Sequence, residues 1–466
     1  MDPVLLIGSG MSGAAVAGEL RRRGVPALVA DRGRLLGTDH VAADAATAAF
    51  IEPERDPCFE PLQRDPSVWH YGRSAGARVR VGGRSLYWRG IALRIEPAAL
   101  ADWPAPVVSA LGGPDGWYAR VESHVTAWTG APLDAPRNPT EAHLTAVLRT
   151  RGFQDARPTP RAVRPLGSGR WCAYSPLEEI DASAVLTGRT LIGVQDGPDG
   201  LDVVLRHGRD EQRVRAAALV LCAGAIENAR LVSQLTGRLT PCPITDHLVR
   251  GWIRVSDDLA DAYDLSDEAS VFVLHDAAGR FNAFLELHRI GGHLVMDAWT
   301  MGEQRPGPAA TVRFHGPDAT PLFAIAETPE DEHVLAAETR SLASLCEGLG
   351  LAHAISEASH RAAGDFSAAL DRAISTPGTI FPYRCPLGSI DHEACTLPLD
   401  GDVVDAAGEL RGMPRVFVAG PCVFPRPGAA NPSLTTMALG RHLAAHVHAR
   451  LDLASTGDRK MRAHAS

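Results

Sequence analysis

The sequence predicts a two-lobed α/β protein, one lobe a parallel sheet assembled from separated stretches of chain, the other mainly antiparallel strands with helices. Three observations carry this reading. A glycine-rich turn joins an apolar strand to a helix at the very start of the chain. Two further strand-to-glycine passages recur near Gly224 and Gly420. Between them, over 270–301, apolar and polar residues alternate with the two-residue period of half-wet strands.

Length and composition set the frame. A chain of 466 residues is too long for one small core, so two lobes are expected. Apolar residues at 45% and charged residues at 22% are ordinary for a globular protein. A net charge of −9 argues against nucleic acid as a partner, because phosphate binding needs a concentrated basic surface. The run Arg21-Arg22-Arg23 falls at an expected helix end, where cations complement the dipole. The longest apolar stretch, from Ala216, is far shorter than a membrane span, so no membrane partner is expected. Met1-Asp2-Pro3 leads straight into a strand, and no secretory leader is expected. Eight cysteines with no C-x-x-C pair speak against both a zinc ribbon and a disulfide scaffold; no metal is expected, and the setting is read as cytoplasmic.

The first element in order is the strand Val4 to Ile7, followed by Gly8-Ser9-Gly10-Met11-Ser12-Gly13, a helix through Leu20, and a second strand from Ala27 to Ala30 that ends on Asp31. This is the order a dinucleotide site requires. Gly8 permits the tight turn, Gly10 lets the backbone approach a pyrophosphate, and Gly13 allows helix and strand to pack closely. The helix amino end, opening at Met11 and Ser12, offers free N–H groups to phosphates. Asp31, with Arg32 beside it, stands where ribose hydroxyls are expected.

The strand Ala218 to Cys222 then runs through Ala223 into Gly224, and the strand Val416 to Ala419 runs into Gly420 and Pro421. A simple NAD site seldom needs three such passages so far apart, so FAD is the favoured cofactor. Gly82 and Gly83 form a turn that would let backbone lie against a flat ring, with Ser85, Tyr87 and Trp88 close by; a hairpin with two core aromatics is an equal local reading.

Together these stretches resemble the glucose–methanol–choline (GMC) oxidoreductases, and within them the pyranose-oxidase-like branch. The matching residues are IGSGMSGAAVAGEL at the start, VGGRSLYWRG at 81–90, LCAGAIENARLV at 221–232, DHEACTLPLDGDVVD at 391–405 and VFVAGPCVFPRPGAANPSLTTMALG at 416–440. The resemblance implies a discontinuous FAD-binding Rossmann-like lobe with a substrate lobe. It implies oxidation of a small-molecule alcohol, on a sugar, glycoside or cyclitol-type compound, by hydride transfer to flavin N5. Oxygen, a quinone or a redox protein would then reoxidise the flavin. It also places the catalytic pair on His392 and Asn431, with Pro432 and Ser433 opening a helix towards the flavin. The chemistry agrees: a base must take the hydroxyl proton, and histidine suits that near neutral pH. Asparagine can donate a hydrogen bond to a developing alkoxide. A lyase of the same fold, using His392 as acid and base without net redox, is the alternative.

Departures from the family pattern matter. Tyr87 stands where some relatives carry the histidine that bonds to flavin, so the resemblance implies non-covalent FAD. Cys395 replaces a glycine, and Arg89 a small residue; Arg89 is expected to face either the flavin, the substrate or solvent. The FAD lobe is expected over 1–100, 150–245 and 380–466, and the substrate lobe over 101–149 and 246–379. Its wet strand faces offer Glu286, His288, His293, Asp297 and Trp299 as candidate cavity residues. Residues 34–75 read as an extended covering loop, and the tail from Ser455 as frayed.

Overall fold

The computed structural model describes residues 2–43, 53–61, 76–167, 170–197, 200–237, 241–262, 265, 267–315 and 320–464. Much of the expected covering loop, 44–52 and 62–75, lies outside them. No helix among the described residues is long and apolar enough to cross a membrane.

The apolar runs at Val4–Ile7, Ala27–Ala30, Ala218–Leu221 and Val416–Val418 form one four-stranded parallel sheet. Leu5 sits between Leu28 and Leu219, and Leu219 faces Val416 across the next ladder. Val4–Ile7 and Ala218–Leu221 are buried along their whole length, as parallel strands covered on both faces must be. The helix Met11–Arg22 and the long helix Ser433–His464 cover this sheet. The latter runs through the tail that was expected to fray.

The alternating stretches fold as expected into strands at Ala269–Asp276, Phe281–Ile290 and His293–Gly302, joined by Leu248–Val255. All pair antiparallel within a six-stranded sheet. A third sheet, an antiparallel meander at Thr190–Gly197, Gly200–His207 and Asp210–Ala216, has no counterpart in the sequence reading.

Three segments pair with or pack on elements expected in the other lobe. Phe381–Cys385 and Arg157–Pro158, expected in the cofactor lobe, form the two edges of the six-stranded sheet. Within 101–149, expected in the other lobe, Trp117–Thr129 packs on the C-terminal helix, with the Tyr118 hydroxyl 2.8 Å from Thr435 Oγ1. Pro139–Thr150 remains on the antiparallel sheet, where Glu141 Oε1 accepts from Ser270 N at 3.0 Å. Local strand and helix patterns fix an element but not the layer it joins.

The helix Pro329–Gly348 covers the back of the six-stranded sheet. It opens on a reciprocal cap: Asp331 N donates to Thr328 Oγ1 at 3.1 Å, and Thr328 N to Asp331 Oδ2 at 2.8 Å. Glu338 projects from it into the helix–sheet interface, fully buried, where a Cβ on Gly302 would come within 2.6 Å of its Oε1. Burial pushes the Glu338 carboxyl well above its ordinary range, although the Arg250 charge pulls the other way. The unfolded chain releases this proton near pH 4.3 while the folded chain keeps it, so stability falls as pH rises above that point, at roughly 1.4 kcal/mol per pH unit. Glu338→Gln is expected to remove this slope. Urea unfolding of both proteins between about pH 5 and 8 checks it, and parallel curves would refute the buried proton.

Candidate active site

The first strand ends in a turn that only glycine can make. Gly8 has φ +103°, and a Cβ there would lie 2.6 Å from the Cys222 carbonyl oxygen. A Cβ on Gly13 would lie 2.0 Å from the Gly8 carbonyl oxygen, so helix and turn meet at backbone contact. Ser9 stitches the turn to its neighbours: its hydroxyl donates to Asp31 Oδ2 at 2.5 Å and accepts from Gly82 N at 2.8 Å. Asp31 also accepts from Ser9 N at 2.9 Å and Gly33 N at 2.7 Å. No acidic side chain occupies the first turn of Met11–Arg22, leaving its amino end open to an anion. Asn228 joins the other two strand ends, accepting from Ala223 N at 2.8 Å and donating to Ala419 O at 3.0 Å.

One continuous cavity of about 660 Å³ starts at this turn and runs to His392 and Asn431. His392 sits on a tightly braced loop. Asp246, buried, accepts four backbone amides: His247 N at 2.9 Å and His392 N at 3.2 Å on Oδ1, Gly388 N at 2.8 Å and Ile390 N at 3.1 Å on Oδ2. Burial and the nearby Glu393 push its carboxyl up to about 7, against those amides, which favour the charged form. Arg84 spans Asp391 at 3.0 Å and Glu393 at 2.7 Å. Burial, then His247 and Arg84, lower the His392 imidazole well below its ordinary value, so it is neutral at neutral pH. His392 Nδ1 lies 3.0 Å from His247 Nδ1. The buried Asn431 Oδ1 has no hydrogen-bond partner among the described residues.

The far wall is one face of the six-stranded sheet, presenting Asp297, Trp299 and Met301 at alternate positions, with Tyr383 from the edge strand. Tyr383 lies flat across Gly251, where a Cβ would meet its ring at 2.4 Å, and donates to Asp297 Oδ1 at 2.9 Å. Arg89 reaches from the Gly82–Gly83 segment to Glu286 Oε2 at 3.0 Å. His288 Nε2 lies 3.5 Å from Glu286 and 3.8 Å from Asp297. Burial lowers the His288 imidazole, but Asp297 and Glu286 outweigh it and hold its pKa up to about 9. Burial likewise raises the Glu286 carboxyl, yet Arg89 and His288 hold it well below the usual range. Two cations and two carboxylates thus balance inside the wall.

The cavity brings together Gly8, Gly10, Met11, Ser12, Asp31, Arg32, Gly83, Ser85, Trp88, Ala223, Gly224, Pro421, His392, Asn431, Pro432 and Ser433. Gly13, Gly82 and Gly420 do not line it; they stand behind it, at helix and turn contacts. Arg89, Asp297 and Trp299 line it, Glu286 and His288 stand behind Arg89, and His293 is elsewhere, paired with Asp257 at 2.8 Å. Cys395 is fully buried and keeps a glycine-like φ of +66°; burial pushes its thiol up to about 12. Sequence reasoning missed Ser9, Arg84, Asp246 and His247. Ser9 lay inside the glycine motif, but no local pattern marked the other three.

A family model described as GMC oxidoreductase matches residues 315–440. Over 93% of its length the chain is 25% identical to paromamine 6'-oxidase of Streptomyces fradiae, covering 89% of that protein. It is 24% identical to an uncharacterised GMC-type oxidoreductase of Sinorhizobium fredii, with 94% and 93% covered. The crystal structure of pyridoxine 4-oxidase from Mesorbium loti superposes with a TM-score of 0.65 over 96% of this chain and 99% of that one, at 15% identity.

Removing the Asp246 carboxylate would leave four backbone amides without this acceptor. Asp246→Ala is expected to cost about 3 kcal/mol in urea unfolding, and Asp246→Asn about 2 kcal/mol or more, because its NH2 faces two amide donors that it cannot accept from. Wild-type stability in both variants would show that the carboxylate does not brace the loop.

Proposed function

We propose, because this chain belongs to the GMC oxidoreductase family, that it oxidises a hydroxyl on a sugar, glycoside or cyclitol-type molecule to a carbonyl, with His392 as the base. Such enzymes are flavin-dependent oxidases or dehydrogenases of alcohols. The observation that carries the reading is the single cavity joining the glycine turn to His392 and Asn431.

The residues present suit FAD. The open helix amino end and Gly10 would receive the pyrophosphate, Asp31 the ribose, and the Gly83–Ser85 turn the ring system. When bound, FAD supplies the acceptor for the hydride leaving the carbinol carbon. His392 would take the hydroxyl proton, being neutral and therefore free to accept one at neutral pH. Asn431 would donate from its amide Nδ2 to the reacting oxygen, and its unpartnered Oδ1 could accept from the ring system or the substrate. Trp299 would stack on the substrate ring, while Arg89 and Asp297 bond its hydroxyls. The relative named paromamine 6'-oxidase supports a sugar-like substrate.

Tyr87 borders the cavity with the Arg78 guanidinium 4.7 Å over its ring. Burial raises its phenol to about 12, which keeps it protonated and a poor nucleophile. FAD is therefore proposed to be dissociable. Acid precipitation should leave the yellow colour in the supernatant, and colour in the pellet would mean a covalent link.

Anaerobic mixing with sugars and cyclitols should bleach the bound flavin. His392→Gln should keep its flavin and lose about 10²–10⁴-fold in bleaching rate. Turnover with no bleaching would instead favour the lyase reading.

A further inference from the structure

Residues 245–247 and 392–394 form a short antiparallel clip. Thr245 N donates to Ala394 O at 3.2 Å and Ala394 N to Thr245 O at 3.1 Å, which sets His247 opposite His392. Asp246 Oδ1 takes the backbone N–H of both histidines, so the clip is closed at each end. The rings meet edge to face, centroids 5.0 Å apart and planes at 88°.

We propose that His247 is a positioning residue that fixes the tautomer of His392, leaving Nε2 of His392 as the lone-pair nitrogen that receives the substrate proton; this rests on the reading of His392 as the base. The chain of reasoning begins at Gly428. Its carbonyl oxygen can only accept, and it lies 3.1 Å from His247 Nε2, so that nitrogen carries the hydrogen. His247 is 2% exposed, and burial lowers its pKa to about 4, so it holds one proton only. Its Nδ1 is therefore a lone pair, and it can only accept from His392 Nδ1 at 3.0 Å. His392 is neutral as well, so its remaining nitrogen, Nε2, is bare. No described residue bonds to that Nε2, and the His392 side chain lines the cavity.

A neutral partner differs from a carboxylate one. A carboxylate at Nδ1 would orient the ring and also raise its pKa; an imidazole lone pair orients it without adding charge. The charged groups around the pair are Arg84 with Asp391 and Glu393, Asp246 beneath the loop, and Glu303, whose charge acts on His247. In turnover the substrate O–H bond breaks and its proton joins His392 Nε2, while the carbinol C–H bond breaks as the carbonyl forms and a bound flavin would accept the hydride. His392 Nδ1–H stays bonded to His247, so the positive charge remains on His392.

The test uses holoenzyme labelled with ¹⁵N-histidine and a long-range proton–nitrogen correlation spectrum, with His392 assigned by its loss in His392→Gln. The expected pattern is Nδ1–H with a bare Nε2. An Nε2–H pattern would overturn the proposal outright, whatever the activity. His247→Leu removes the acceptor and should mix the tautomers, lower kcat/KM at least about tenfold, and shift the acid limb of its pH profile. His247→Gln returns a carbonyl acceptor and should restore most of the rate and the wild-type limb. Equal losses in both variants, or an unmoved tautomer and profile in His247→Leu, would also overturn it. Failure of every alcohol to bleach the flavin would sink the reading of His392 as base, yet the spectrum would still report the tautomer directly.

Discussion

The arrangement of the reactive end depends on one carboxylate. Asp246 lies two residues before the strand Leu248–Val255 of the six-stranded sheet, and it gathers the amide of His247 and three amides of a loop about 145 residues further on. Together with the reciprocal Thr245–Ala394 backbone bonds, it holds residues 388–392 in register with 245–247. Four amide donors on one buried acid form a rigid node, because each lost bond leaves a polar group in a dry interior. The node thereby fixes where the His392 imidazole stands relative to the Gly8 turn and to the wall carrying Asp297, Trp299 and Met301.

A second set of contacts holds the opposite side. Arg426 makes paired bonds to Glu303 at 2.5 and 2.6 Å, and Glu303 also accepts from Gly428 N at 3.1 Å. Glu96 accepts from Ala429 N at 3.0 Å, and Asn282 donates to Ala429 O at 2.8 Å. These contacts fix 426–430 just before Asn431. The carbonyl of Gly428 thereby becomes a fixed reference for the imidazole pair. Charged groups this deeply buried stabilise little in net terms, but they define one geometry, since removing either partner leaves a charge uncompensated.

Much of this was legible in the sequence, for reasons that differ by element. The parallel strands at 4–7, 27–30, 218–221 and 416–418 are short apolar runs punctuated by glycine, and a backbone at contact distance admits little else. The strands over 269–302 kept their two-residue period because one face is dry and the other borders a cavity. The meander at 190–216 and the assignment of 381–385 and 157–158 to sheet edges were not legible. Their pairing is decided by distant partners rather than by their own pattern. His392 and Asn431 could be picked out by family resemblance, and the cavity brings them together. Asp246, His247 and Arg84 could not, because a buried polar residue gains its meaning only from what folding sets beside it.

The discontinuity of the parallel sheet also bears on how the protein is made. A chain emerging amino end first carries the glycine turn and its two flanking strands early, yet the third strand starts at Ala218 and the fourth at Val416. The Gly8 turn rests on the Cys222 carbonyl, and the Ala223 amide is held by Asn228, which in turn bonds Ala419. The glycine turn is thus completed only once the chain has been made through Ala419. Until Ala419 has been made, the nascent chain must keep the apolar strands at 4–7, 27–30 and 218–221 from foreign partners.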